Sequence, residues 1–282
     1  MRVLAFAVVA LLAAQPSPQV HSFTFTPKDA DPAASDRNLP QLARRDGRVR
    51  PRGKLVVVLA GANNPPGPEK LVAYAASQGF HVFAVAYKND VSPVRNDPDF
   101  FGNLRLEAFD GTDRTPDVTV ARPDCVEVRI AKALAYLQKP DPEGKWSVYL
   151  GRDGQVRWSD VILAGHSHGA SSAAAYAKLR RVDRVISFAG PRDTNPVVAT
   201  WLSMKSATPI DRFYGFTGTD DPQYPDHQKA FDVMGYLGAL VNVGAARPPY
   251  GGSRRLAYSG GHGDAIDCVR FADACKVMFG VD

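Results

Sequence analysis

Hydrophobic residues along this 282-residue chain fall into two alternating patterns. Short, nearly continuous apolar runs read as strands buried on both faces, and the longer stretches between them carry helical spacing. The runs lie at 54–60, 81–87, 161–164, 184–189, 211–216 and 255–258. Pro68 and Glu69 open a helix through Ser77, with Gly79 where a C-cap glycine belongs. Asp124, with Glu127 three places on, predicts a capping box for a helix reaching Leu137. Further helices are expected over Ala170–Leu179, over about Gln228–Leu240, and after Asp264, which would cap the last of them. Gly151-Arg152-Asp153-Gly154 predicts a small surface hairpin within 149–158. Strands alternating with helices make an α/β fold, a mostly parallel sheet with helices on both faces. Residues 51–282 read as one domain, 15–50 as an irregular segment with a short strand at 22–26, and 88–121 as a long excursion.

The amino terminus adds a location. Arg2 precedes an apolar core from Val3 to Ala14, followed by Gln15-Pro16-Ser17-Pro18, the pattern of a secretory signal peptide over residues 1–14. The expected location is therefore outside the cell or in the periplasm. The apolar core is too short to span a bilayer, and no later run is longer, so no stable membrane insertion is expected. Hydrophobic residues make up 45% and charged residues 22%, ordinary for a globular protein. The net charge of +5 is scattered in pairs such as Arg44-Arg45 and Arg254-Arg255. No basic stripe with interleaved aromatics points to nucleic acid. The three cysteines lack metal-ligand spacing. One disulfide and one free thiol is the simplest arithmetic in an oxidising compartment. Cys268 and Cys275 on one continuous helix would stand too far apart, so either that helix starts after Cys268 or Cys125 is a partner.

The chemistry concentrates at Gly165-His166-Ser167-His168-Gly169, between the run at 161–164 and a helix of small residues. A serine at the tip of so sharp a turn is projected outward, which makes Ser167 a candidate nucleophile. A hydroxyl at neutral pH needs a base and a carboxylate to orient that base. Reactive groups of such sheets gather at the carboxyl ends of strands. There, the loop after 211–216 offers Asp220 and Asp221, and the loop after 255–258 offers His262. His166 and His168 flank the serine and read as pocket lining or local support.

With nucleophile, acid and histidine in that order, the chain resembles an α/β-hydrolase superfamily serine hydrolase from about Leu55 to Val277. The resemblance implies acyl transfer to water through a serine ester. It favours Asp221 as the acid, from a Gly-x-x-Asp spacing after Gly218, with Asp220 and Asp193 as alternatives. Oxyanion donors would be the backbone N–H groups of His168 and Ala62. No histidine precedes Gly61, a departure from the HGGG-type lipase motif. A small-molecule or polymeric ester is the expected substrate, with no metal and no organic cofactor. A peptidase or amidase of the same fold, or a non-catalytic binding protein, is the alternative. The apolar residues Phe100, Phe101, Leu104, Leu106 and Phe109, with Trp201 and Tyr224, are candidates for a wall or lid.

Overall fold

The computed structural model describes residues 19–90 and 95–281, so the signal-peptide reading at 1–14 lies outside it. Among the described residues the strands are β1 (Val20–Phe25), β2 (Gln41–Asp46), β3 (Leu55–Leu59), β4 (His81–Ala84), β5 (Val161–His166), β6 (Arg184–Phe188), β7 (Phe213–Gly218), β8 (Val241–Asn242) and β9 (Arg255–Tyr258). The helices are α1 (Pro27–Ala30), α2 (Glu69–Ser77), α3 (Phe100–Asp110), α4 (Val126–Leu137), α5 (His168–Leu179), α6 (Tyr224–Met234) and α7 (Ala272–Phe279). All nine strands join one sheet in the order β1-β2-β4-β3-β5-β6-β7-β9-β8. Strands from β4 to β8 run parallel to their neighbours, while β1 and β2 add an antiparallel edge.

The continuous apolar runs are the sheet's interior. Every residue of β3 is fully buried because helices cover both faces, leaving no side for a polar residue. Two apolar layers result. One packs β3 and β5 under α3, α4 and α5; the other packs the opposite face under α2 and α7. From β3 the chain moves to β4 on one side, whereas β5 to β9 build the other side. The loops leaving β3 and β5 therefore part at their carboxyl ends, and that divergence makes the crevice where open α/β sheets bind ligands.

Several local expectations are corrected. Residues 20–46, read as mostly irregular, form a regular antiparallel pair; the half-exposed edge leaves little apolar periodicity in the sequence. Helix α4 begins at Cys125 without a side-chain cap. The Asp124 carboxylate instead accepts the Ser35 and Asp36 N–H groups and pairs with the buried Arg129 at 2.8 Å. Helix α6 stops at Gly235, whose φ of 72° ends it well before Leu240. The 149–158 hairpin is reduced to a single bridge between Leu150 and Val156. Because α7 starts at Ala272, Cys268 lies outside it and joins Cys275 in a disulfide, Cα to Cα 5.6 Å, while Cys125 is a buried free thiol.

Candidate active site

Ser167 is the single residue between β5 and α5, with φ 57° and ψ −118°. A side-chain-bearing residue held there costs about 1–3 kcal/mol, so the surroundings must enforce it. The two flanking glycines show how. A Cβ on Gly165 would lie 2.0 Å from the Gly169 carbonyl oxygen, and one on Gly169 would lie 2.1 Å from the Leu59 oxygen. Neither glycine has a positive φ, so they are required by close backbone approach and not by their own conformation. Serine is among the best helix N-caps, its oxygen normally accepting an N–H of the first turn. Ser167 occupies that position yet makes no side-chain capping bond. Its hydroxyl is left for another partner.

The loops after β7 and β9 bring a carboxylate and an imidazole together. His262 Nδ1–H donates to Asp221 Oδ2 at 2.6 Å. The acid is essentially buried, with its side chain 1% exposed, while the His262 ring is 30% exposed. The other Asp221 oxygen accepts the Gln223 N–H at 2.9 Å. An ionised carboxylate can only accept, so Nδ1 carries the hydrogen and Nε2 is left with a free lone pair. The alternative acids are placed otherwise. Asp220 is exposed and its carboxylate meets only Thr219 among the described residues. Asp193 forms a buried two-point pair with Arg105 at 2.7 and 2.9 Å and accepts the Trp201 indole N–H.

Two features tie His262 to the serine turn. His166 Nε2–H donates to the His262 backbone carbonyl at 3.1 Å, and the two rings are 5.0 Å apart between centroids. Burial holds the His166 imidazole below its usual pKa, so it serves as a neutral N–H donor. Asp264 was expected to cap α7. It turns back on its own loop instead, accepting the Gly261 N–H at 2.9 Å beside His262.

The expected oxyanion donors flank the same turn. His168 is the first residue of α5, where backbone N–H groups have no partner within the helix. Ala62 lies half-buried in the turn after β3, closed by Asn64 N–H to Gly61 O at 3.2 Å. That turn abuts the serine: a Cβ on Gly61 would meet Ser167 Cβ at 3.5 Å. The buried Asn89 amide fastens it by donating to the Gly61 and Asn64 carbonyls at 2.7 and 3.0 Å. The His168 ring is buried against Tyr87. Burial first, then the nearby Arg105 and Arg192 charges, hold it well below an ordinary histidine pKa, so it is neutral.

Sequence reasoning missed Asn89, Arg105 and His227. Arg105 donates to the His168 carbonyl and Ser172 hydroxyl from beneath the turn. His227, fully buried, receives or gives a hydrogen bond with Thr217 Oγ1 at 2.8 Å and stands 4.0 Å from Asp221. Their signal was an isolated polar residue within an apolar helix face or beside a strand end, which many neutral positions share. The wall-or-lid candidates are also relocated. Phe100, Leu104, Leu106 and Phe109 lie on α3 in the core, and Trp201 is 1% exposed. Tyr224 is half-buried at the start of α6. Among the described residues no group of three or more His, Cys, Asp or Glu side chains is placed to hold a metal ion, and no helix is long and apolar enough to cross a membrane.

Among solved structures, the chain is similar to S-formylglutathione hydrolase from Staphylococcus aureus, with 10% identity over 94% of this chain and 98% of that chain and a TM-score of 0.52. It is also similar to a truncated carbohydrate esterase from gut microbiota, with 14% identity over 93% and 96% and a TM-score of 0.48. A third is esterase 2 of Thermogutta terrifontis, with 13% identity over 92% and 95% and a TM-score of 0.46. No protein-family model and no curated protein sequence matches the chain. At this identity the first likeness establishes the fold, which is that of the α/β-hydrolases.

Proposed function

We propose that the protein is an exported serine hydrolase that cleaves carboxylic esters through a Ser167–His262–Asp221 triad. The observation that carries this reading is the strained Ser167, seated at a helix N-cap with its hydroxyl withheld from capping. An ordinary turn serine would have no reason to adopt φ 57° and leave its best local bond unmade. The His262–Asp221 pair on neighbouring strand ends supports it. The fold shared with S-formylglutathione hydrolase accommodates the same chemistry.

In this mechanism Ser167 Oγ attacks the ester carbonyl while His262 Nε2 takes its proton. Asp221 holds the imidazole by Nδ1 and stabilises the imidazolium that forms. The Ala62 and His168 N–H groups receive the oxyanion, each worth about 2.7–4 kcal/mol in a water-excluded site. His262 then gives its proton to the departing alcohol, and water repeats the cycle on the acyl-serine. Export is part of the proposal and rests on the residues 1–14 pattern together with the Cys268–Cys275 disulfide, which suits an oxidising compartment.

A fluorophosphonate probe tests the nucleophile: labelling should vanish in Ser167→Ala. The Ser167→Ala and His262→Ala variants should each lose about 10⁴–10⁶ in kcat, and the double variant little more, because the groups act as a unit. Strictly additive losses, or labelling that survives Ser167→Ala, would overturn the assignment. p-Nitrophenyl esters set against p-nitroanilides separate esterase from amidase.

A further inference from the structure

The loop leaving β6 carries a cation that pairs with no carboxylate among the described residues. Arg192 sits between buried Pro191 and buried Asp193, and its backbone N–H donates to Ser171 Oγ at 3.0 Å. Ser171 is in the first turn of α5, so Arg192 is fastened one helical turn from Ser167. Two residues on, the Thr194 hydroxyl donates to Asp226 at 3.0 Å, tying the same loop to α6 and the acid side of the site. Arg192 thus stands on the carboxyl edge of the sheet, between the serine turn and the loop that holds Asp221.

Arg105, Arg129 and Arg45 pair with Asp193, Asp124 and Asp141, while half-buried Arg37 and Arg254 donate to an amide oxygen and to backbone carbonyls instead. Arg192 is half-buried, yet among the described residues its guanidinium meets no carboxylate and no carbonyl. The acids of the neighbouring loops and of α6 have other partners: Asp193 pairs with Arg105, Asp226 accepts from Thr194, and Asp221 accepts from His262. Burial first, with the Arg192 charge among the lesser causes, holds the His168 and His227 rings below the usual histidine range. A guanidinium carries five donors in a planar fork, matched to carboxylate or phosphate oxygens.

Resting on the proposed serine-hydrolase reading, we infer that Arg192 is a specificity residue that selects esters bearing an anionic group close to the scissile bond. The anion would complete the missing half of an ion pair as substrate binds, in a partly desolvated position where a charge-assisted bond is stronger than at an open surface. Neutral esters would still reach Ser167 but without this anchor.

The test compares p-nitrophenyl hemisuccinate with p-nitrophenyl acetate, which share a leaving group and differ by a carboxylate on the acyl side. The wild-type ratio of kcat/KM, hemisuccinate over acetate, should fall about 10- to 100-fold in Arg192→Gln, the worth of one hydrogen bond to a charged group. The loss should lie mainly in KM, Arg192→Lys should restore part of the ratio, and added salt should erode the wild-type preference. An unchanged ratio in Arg192→Gln would overturn the inference while leaving the hydrolase reading intact. Should Arg192→Gln fold poorly, the salt dependence of the wild-type ratio decides, and a salt-independent ratio counts against the inference. Failure of wild-type protein to hydrolyse either ester, or to label with fluorophosphonate, would count against the underlying activity instead.

Discussion

Two loops on successive strands each deliver a buried aspartate to the same edge of the sheet, and they do opposite things with it. Asp193, after β6, and Asp221, after β7, each have side chains 1% exposed. Asp193 is closed on both oxygens by the Arg105 guanidinium and the Trp201 indole, groups that hold their protons at any ordinary pH. Asp221 gives one oxygen to a backbone N–H and the other to His262, a group that can gain and lose a proton. Burial alone therefore says little about a carboxylate's role. On the proposed reading, its partner's chemistry decides whether it holds the fold or orients a base.

The sharpest way to break this contrast is to remove one acid at a time. Asp221→Asn should keep its shape but leave His262 in the wrong tautomer, lowering kcat about 10⁴-fold with little change in melting temperature. Ester turnover and a thermal melt on the same sample check both halves. Asp193→Asn should do the reverse. It leaves the fully buried Arg105 without a counter-charge, at a cost of about 3–5 kcal/mol in unfolding free energy. The fraction that remains folded should still take the fluorophosphonate label, and a stable but inactive Asp193→Asn would reverse the two roles.

Acid pH should weaken the fold through histidines kept neutral by burial. His166, His168 and His227 are all held below the usual histidine range, and His81 is pushed down to about 4. Between pH 6.5 and 4 the unfolded chain takes up protons that the folded one refuses, so stability falls as pH drops through that window. His81 alone should account for up to about 3 kcal/mol at pH 4, at roughly 1.36 kcal/mol per pKa unit. Urea midpoints measured from pH 7 to 4 test this; a flat profile would contradict it. The smallest effect is the control. Asp220→Ala touches an exposed carboxylate and should change stability by no more than about 0.5 kcal/mol and turnover by about twofold.

The amino end of the sheet sharpens the contrast from another side. A recess of about 360 Å³ opens there, walled by residues such as Arg45, His81 and Tyr149. Arg45 pairs with Asp141 at 2.6 Å, Asp141 also accepts the Trp146 indole, and His81 shares a 2.8 Å hydrogen bond with Tyr149. Most of these polar groups satisfy one another, with His81 Nε2 the exception among the described residues. At the carboxyl end the Ser167 hydroxyl stays off its helix, and Arg192 meets no counter-charge among the described residues.

Much of this was legible in one dimension. Buried parallel strands are continuous apolar runs, so β3 through β9 could mostly be located from composition, and the glycine spacing around Ser167 marked the turn because local backbone contact leaves no room for a Cβ. The Gly165–Gly169 approach joins residues near one another in sequence, although Gly169 also packs against Leu59 on β3. What depended on the folded chain were pairings across long separations: Asp221 with His262 over 41 residues, Arg105 with Asp193 over 88, and His166 with the His262 carbonyl over 96. Asp193, Asp220 and Asp221 are chemically identical along the chain. Only the packing of α3 and the strand-end loops brought a guanidinium to the first, solvent to the second and an imidazole to the third.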